Sequence, residues 1–561
     1  MSILERNYSF LHNFGTFFHL TTPMTYKKAI VFAAAILAAT ASFGAKLEGK
    51  APPRLVVNLV VGQMRYDYLL RFADNLSQEG FLAMVDQGAS CDRAMYTYMM
   101  TSTPSGLATL TTGANPMTHG VIGTSWFDYT TNEKIELLED RSYYTVGSDE
   151  LDTRVSPVKL LTSTVGDQLK NSNPTSKVVS IALEPMSAVL MGGYNADVAY
   201  WVSERDGKWV SSTYYTSSLP EWVTRLNDAG PAESYTDPAW SVSLPTSRYH
   251  NILRQDIKTD TTVNRLSFDF MTRKKYDYSR LAATPAGNTY VKDFAVKAII
   301  NENLGNGERP DMLNVVFDAS RNIGEKYGTQ SMEVEDSYYR LDADIASLLY
   351  FLDSHLGREN VLVVLTSDHG ACDPVIESSR MPSGKFNPSQ FWAIMAGFLG
   401  GQLGSEEQWI LDYSNRQLYL NHRLILEKGL RLSDVQNMVA GFAIQFRGVA
   451  QAITGTSMLN SHFSGGVLGS AQNGYFPRHS GDVIINLLPG WMEENGKLSA
   501  SGTPYNYDSH VPLIWWGGRV PSSDIARDID MMDLAPTISH LLGIAPPNAS
   551  TGRPIEEIIN Y

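Results

Sequence analysis

The sequence predicts an α/β fold in which a mainly parallel central sheet is flanked by helices and carries inserted accessory segments. Three observations predict it. Leu55–Val61, Val178–Leu183, Leu313–Phe317 and Val361–Thr366 are short, mainly apolar runs, as expected of strands buried on both faces. Stretches with helical spacing lie between them, at Tyr66–Gly88, Asp293–Asn303 and Ser331–Leu356. Chemically distinctive positions, Gly62, Arg321 and Asp368, follow directly on three of the strands. In a parallel sheet that is where a site forms, at the carboxyl ends of the strands.

The N-terminal stretch reads as a targeting segment. From Met24, Lys27 and Lys28 precede an apolar run from Ala29 to Ala41, with small residues at 42–45. This pattern predicts a signal peptide, with residues 1–23 as an upstream extension. The apolar run is short for a bilayer span, so an uncleaved anchor is the weaker reading. The expected products are a periplasmic or secreted chain without a transmembrane span, and one domain over 46–561. Insertions are expected near 199–290 and 375–480.

The 561 residues are 43% hydrophobic, enough to bury a large core, and carry a net charge of −14. That charge argues against nucleic acid or an anionic membrane surface as partner. There are two cysteines, Cys91 and Cys372, which suit either one disulfide or two buried thiols.

Along the chain, Thr103 sits at a small-residue turn after the run Met95 to Met100, and a helix to about Thr112 follows. A helix N-terminus offers free N–H groups and positive potential, so a hydroxyl held there can face an anion as a nucleophile. The alternative is a structural N-cap. The stretch Tyr200 to Asn227 suggests a hairpin plus helix. Asp434 to Phe446 has helical spacing, with Ser433 as its N-cap. Val483–Leu488 and Val511–Trp516 are further strand candidates, and Asp533–Leu542 a final helix.

Several stretches together resemble the alkaline phosphatase superfamily, in its periplasmic, phosphate-irrepressible branch close to nucleotide pyrophosphatases/phosphodiesterases. They are VVGQMRYDYLLRF (60–72), TSTPSGLATLTTGANPMTHGVIG (101–123), SMEVEDSYYRLD (331–342), TSDHG (366–370), GTPYNYDSHVPLIWWG (502–517) and MDLAPTISHLLGIAPP (532–547). The resemblance implies two zinc ions, a Thr or Ser nucleophile and a phosphoryl-enzyme intermediate. It places the nucleophile on Thr103 and one zinc on Asp368, His369 and the residue after the first strand.

This chain departs from that pattern at most ligand positions. The family's Asp after the first strand is Gly62, its Asp and His four residues apart are Arg321 and Glu325, and its later His is Ser501. Of six metal-ligating side chains, Asp368 and His369 remain. The family's phosphate-contacting Lys and Arg fall on Glu184 and Met186, a neighbouring His on Tyr194, and its Asn on Thr124. Arginine cannot ligate zinc, and Glu184 would repel a phosphate dianion. Asp318 is the one nearby residue that could substitute as a ligand if the register slipped. Asp368 could instead cap a helix, and Arg321 with Glu325 could be a solvated helical pair.

The expectation is an exported, catalytically impaired superfamily member (a pseudoenzyme) with a binding role and no substrate clamp. It would hold no zinc or one weakly bound zinc. The alternative is an active metal-dependent phosphate-ester hydrolase using Thr103 with a reduced metal site at Asp368 and His369. A sulfatase-like or phosphotransferase variant ranks below both, because no Cys or Ser stands at position 103.

Overall fold

The computed structural model describes residues 52–148, 153–236, 240–251, 278–375, 382–404, 407–518 and 520–560, with two short strand pieces between 271 and 276. The expected signal peptide lies outside the described residues. Among those described, no helix is long and apolar enough to cross a membrane.

One large sheet has eleven strands. They are β1 (Leu55–Val61), β2 (Ala89–Met95), β3 (Thr145–Val146), β4 (Val178–Ile181), β5 (Val198–Val202), β6 (Trp209–Ser212), β7 (Asp311–Phe317), β8 (Val361–Thr366), β9 (His510–Val511), β10 (Leu513–Gly517) and β11 (Ser523–Asp530). The central strands β8, β1, β7, β4 and β5 pair in parallel, as the apolar runs predict. The flanks are largely antiparallel: β10 pairs with β8 and β2 in that sense, and β6 pairs antiparallel with both β5 and β3, whereas β2 and β11 pair in parallel. The sheet is therefore mixed, with a parallel centre. Pro512 has no N–H for a ladder and separates β9 from β10, both of which pair with β2.

Successive side chains of β1 enter opposite cores. Val56 and Val60 join one buried cluster, and Leu55, Val57, Leu59 and Val61 the other. Burying each such side chain contributes about 1.5–3 kcal/mol, and this two-sided burial explains why the strand reads as an apolar run. Asn58 is the exception. Its register partner in β7 is Asn314, whose Oδ1 accepts a 2.8 Å bond from Asn58 Nδ2, while Asn314 Nδ2 donates to the Met191 carbonyl. The polar pair is thus carried inside the sheet with both amide nitrogens partnered, while Asn58 Oδ1 has no partner.

Three helical readings change. The stretch 66–88 is broken into Asp67–Arg71, a short 3-10 turn and Phe81–Gln87. The break forms because the carboxylate of Asp342 accepts 2.7 Å bonds from the backbone N–H groups of Ser77 and Phe81. The helix expected from Asp293 begins at Pro285, whose missing N–H costs nothing at a first turn. The helix expected from Asp434 spans Leu432–Ala443, so Ser433 lies inside it and Arg431 is the N-cap. By contrast, Ser331 caps Met332–Leu356 by accepting from Val334 N.

The hairpin β5–β6 belongs to the large sheet. Strands Ile410–Ser414, Gln417–Leu420, Val449–Thr454 and Val483–Leu487 form a separate four-stranded sheet with its own buried cluster, so Val483–Leu487 is not part of the large one. Cys91 and Cys372 are both buried and unpaired.

Candidate functional site

The ends of β1, β7 and β8 deliver Gly62, the helix Asp318–Tyr327 and Asp368-His369 to one place. The helix Thr103–Thr112 brings Thr103 to the same place. Ser102 is its N-cap residue, without a side-chain cap bond, and Thr103 is the first helical residue. The Thr103 hydroxyl is therefore not spent on capping. Gly106 permits the approach: a Cβ there would lie 1.9 Å from the carbonyl oxygen of Asp368. The backbones touch, and only a bare Cα fits.

Thr103 Oγ1 accepts a 2.7 Å bond from Arg321 Nη1 and lies 3.2 Å from His369 Nε2. His369 Nδ1 is 2.6 Å from the Gly370 carbonyl, which can only accept, so Nδ1 carries the proton. In the neutral ring Nε2 then accepts from the Thr103 hydroxyl. Asp368 is buried. Its Oδ1 accepts from the N–H groups of Gln63 and His369, while its Oδ2 has no hydrogen-bond partner and lies 3.5 Å from His369 Nε2. Asp368 caps no helix. Gln63 holds a left-handed backbone at φ 60° to make its bond.

Arg321 is 9% exposed and anchors the opposite side. Its Nη2 pairs with Glu184 Oε1 at 2.6 Å. Burial works against its charge, but Glu184, Asp318, Glu325 and Asp368 outweigh that and hold its pKa above the ordinary value. Burial likewise opposes ionisation of Glu184, yet Arg321 and Asn322 hold its pKa below the usual range. The helical pair Arg321–Glu325 does not form: Glu325 pairs with Lys497 at 2.7 Å. Asp318 is no substitute ligand. Its oxygens accept from Leu183 N, Glu184 N and Ser187 Oγ, and burial followed by the Glu184 charge pushes its pKa up to about 7.

Thr103, Glu184, Arg321, Glu325 and His369 border a cavity of about 520 Å³. Thr124, Met186 and Ser501 also line it, as does the buried Asp508, whose pKa burial raises to about 6. Two lining cations escape sequence reasoning. Lys497 lies in a loop, and Arg416 comes from the tip of a hairpin far away in the chain. The signal for Arg416 is Asn415-Arg416 between two strand patterns, where Asn-Gly is the usual turn.

The donor set does not fit a two-zinc centre. Asp368 Oδ2, with no donor of its own, suits a cation. Gly62 offers no ligand, however, and a Cβ there would meet Arg321 Cβ at 3.0 Å. A permanently charged guanidinium stands 2.7 Å from Thr103 Oγ1, where it repels a dication. Among the described residues no group of three or more His, Cys, Asp or Glu side chains is placed to hold a metal ion.

Comparison with known proteins agrees with the fold and with the order of these elements. A sequence model described as type I phosphodiesterase / nucleotide pyrophosphatase matches residues 56–379. A protein of Myroides odoratus named calcium-transporting ATPase is 32% identical, over 90% of this chain and 95% of its own. Alkaline phosphatase PafA of Elizabethkingia meningoseptica is 31% identical, over 93% of this chain and 98% of its own. The crystal structure of wild-type PafA superposes with a TM-score of 0.84 at 30% identity, covering 91% of this chain and all of that one. The chain belongs to the type I phosphodiesterase / nucleotide pyrophosphatase family, within the alkaline phosphatase superfamily.

Proposed function

We infer that this chain is an exported binding protein derived from a phosphate-ester hydrolase, catalytically impaired at the former metal site. One observation carries the reading: the Arg321 guanidinium bonds Thr103 Oγ1 and pairs with Glu184, so an organic cation stands beside the residue that resembles the family's nucleophile. A guanidinium supplies positive charge but cannot generate a nucleophile as a metal does. The clamp is also reversed, since Glu184 faces the cavity where the resemblance expects Lys, and Met186 has no donor. Export rests on the targeting pattern that begins at Met24.

A second reading is a hydrolase with one metal at Asp368 and His369. The unpartnered Asp368 Oδ2 favours it. The Lys497 pair works against it, because it occupies Glu325, the carboxylate that stands at one of the family's ligand positions. Turnover of 4-nitrophenyl phosphate and bis(4-nitrophenyl) phosphate, with zinc titrated in, separates the two. The expected result is no hydrolysis above the buffer rate at any zinc concentration. Zinc-dependent, saturable turnover abolished by Thr103→Val would overturn the binding reading in favour of the second.

A further inference from the structure

Among the described residues, one cavity cation has no carboxylate in ion-pair contact, although the charge of the buried Asp508 acts on it. Arg416 is 6% exposed, yet among the described residues it forms no ion pair with a carboxylate. Among the described residues, the one bond its five N–H donors form is from Nη2 to the Ser501 carbonyl, at 3.1 Å. The other two cavity cations are satisfied, Arg321 by Glu184 and Lys497 by Glu325. Asp508 is the nearby acid: its Oδ2 accepts from Thr503 N and Oγ1, its Oδ1 has no hydrogen-bond partner, and its charge acts on Arg416 without an ion-pair contact.

Two backbone features hold this guanidinium in place. Ser414 pairs with Gln417, so Asn415 and Arg416 form a two-residue hairpin loop, with φ 51° and 56°. Both values are left-handed, and at the second position Gly is the favoured residue. An Arg there carries strain that the hairpin itself does not need. Gly502 faces it across the cavity wall, and a Cβ at 502 would lie 1.7 Å from Arg416 Nη2. The hairpin tip and the 501–503 loop are thus shaped around one side chain that lacks an ion-pair contact among the described residues.

We propose that Arg416 is the anchor of a ligand subsite for a carboxylate-bearing, polyhydroxylated molecule, an acidic sugar being the simplest member of the class. This deepens the binding reading above and rests on it. A single unpaired guanidinium matches one monoanion, and its planar fork matches a carboxylate through two parallel bonds. A phosphate dianion would leave one charge facing Glu493 and Asp508, which line the same cavity and have no cation in ion-pair contact among the described residues. Asn415, Asn495 and Ser501 add neutral groups on the lining that can bond sugar hydroxyls.

Calorimetric titration of the purified chain with glucuronate, glucose, acetate and inorganic phosphate tests the subsite. Glucuronate is expected to bind saturably and acetate more weakly. Glucose should give no saturable signal, and phosphate should not displace glucuronate. Arg416→Gly suits the turn, so it should keep or raise the melting temperature while weakening glucuronate roughly tenfold or more. Arg416→Lys, which keeps the charge but loses the fork, should fall between the two. The proposal is overturned if glucuronate does not bind, if Arg416→Gly binds it as tightly as the wild type, or if phosphate binds in preference. Aryl-phosphate turnover would sink the binding reading while leaving these titrations to decide the subsite separately.

Discussion

Arg321→Ala is expected to destabilise the fold by about 2–4 kcal/mol at pH 8 and by less at pH 5. The substitution removes the one cation among the described residues that pairs with Glu184 and that also stands 4.0 Å from Asp318, both close to or inside the core. Each carboxylate would then be ionised without a counter-charge or protonated at a cost. The sign with pH follows from proton counting. Asp318 already holds its proton up to about pH 7 when folded, whereas an unfolded aspartate has released it by about pH 5. This group therefore lowers stability as pH rises from 4 to 7 in the wild type. Glu184 acts in the opposite sense, because Arg321 keeps its pKa below the ordinary value. Without Arg321 it joins Asp318, the folded chain binds more protons than the unfolded one, and stability falls faster with pH. Urea unfolding at pH 5 and pH 8 measures this. Adding Glu184→Gln should recover much of the loss, because the two effects belong to one pair. Equal unfolding midpoints for wild type and Arg321→Ala at both pH values would show that the guanidinium carries no structural charge.

Gly106→Ala should cost about 3 kcal/mol or more and should also separate Thr103 from His369. In an ordinary helix interior the same change would be stabilising, since Ala exceeds Gly in helix propensity by about 1 kcal/mol. Here the new methyl would overlap the Asp368 carbonyl oxygen, which lies 1.9 Å from its position. That oxygen is backbone at the end of β8 and cannot rotate away. The helix must move, and Thr103 at its first turn moves with it. Thermal unfolding reads the stability loss. The His369 imidazole signals in NMR read the second effect, because the 3.2 Å contact with Thr103 Oγ1 would be broken. A variant as stable as the wild type with unshifted His369 resonances would mean that the helix does not pack this tightly on β8.

Much of this arrangement is legible in the residues themselves. The bounds of β1 and β8 follow from apolar runs buried on both faces, and the helix Thr103–Thr112 from Pro104 near its start and Gly113 at its end. The convergence of Thr103, Arg321 and His369 follows from the rule that sites gather at the carboxyl ends of parallel strands. What the sequence conceals are partners distant in the chain. Periodicity makes 66–88 a helix, but Asp342, 265 positions beyond Ser77, breaks it by taking two backbone N–H groups. Local spacing couples Arg321 to Glu325, whereas the fold offers each a better partner, Glu184 and Lys497. Gly106 looks like a weak point in a helix, and its necessity is visible only once Asp368 stands against it. Arg416 lies in a segment that reads as an accessory insertion, and no local pattern aims it at the cavity.

The proposed binding role rests on a fixed guanidinium standing in place of the dinuclear metal site. Zinc titration of the purified chain, followed by elemental analysis after desalting, tests it most directly. Fewer than two zinc ions per chain should survive desalting. Arg321→Asp combined with Gly62→Asp, Glu325→His and Ser501→His should raise retention, because it removes the competing cation and restores four ligands. Two tightly held zinc ions in the wild-type chain would contradict the account.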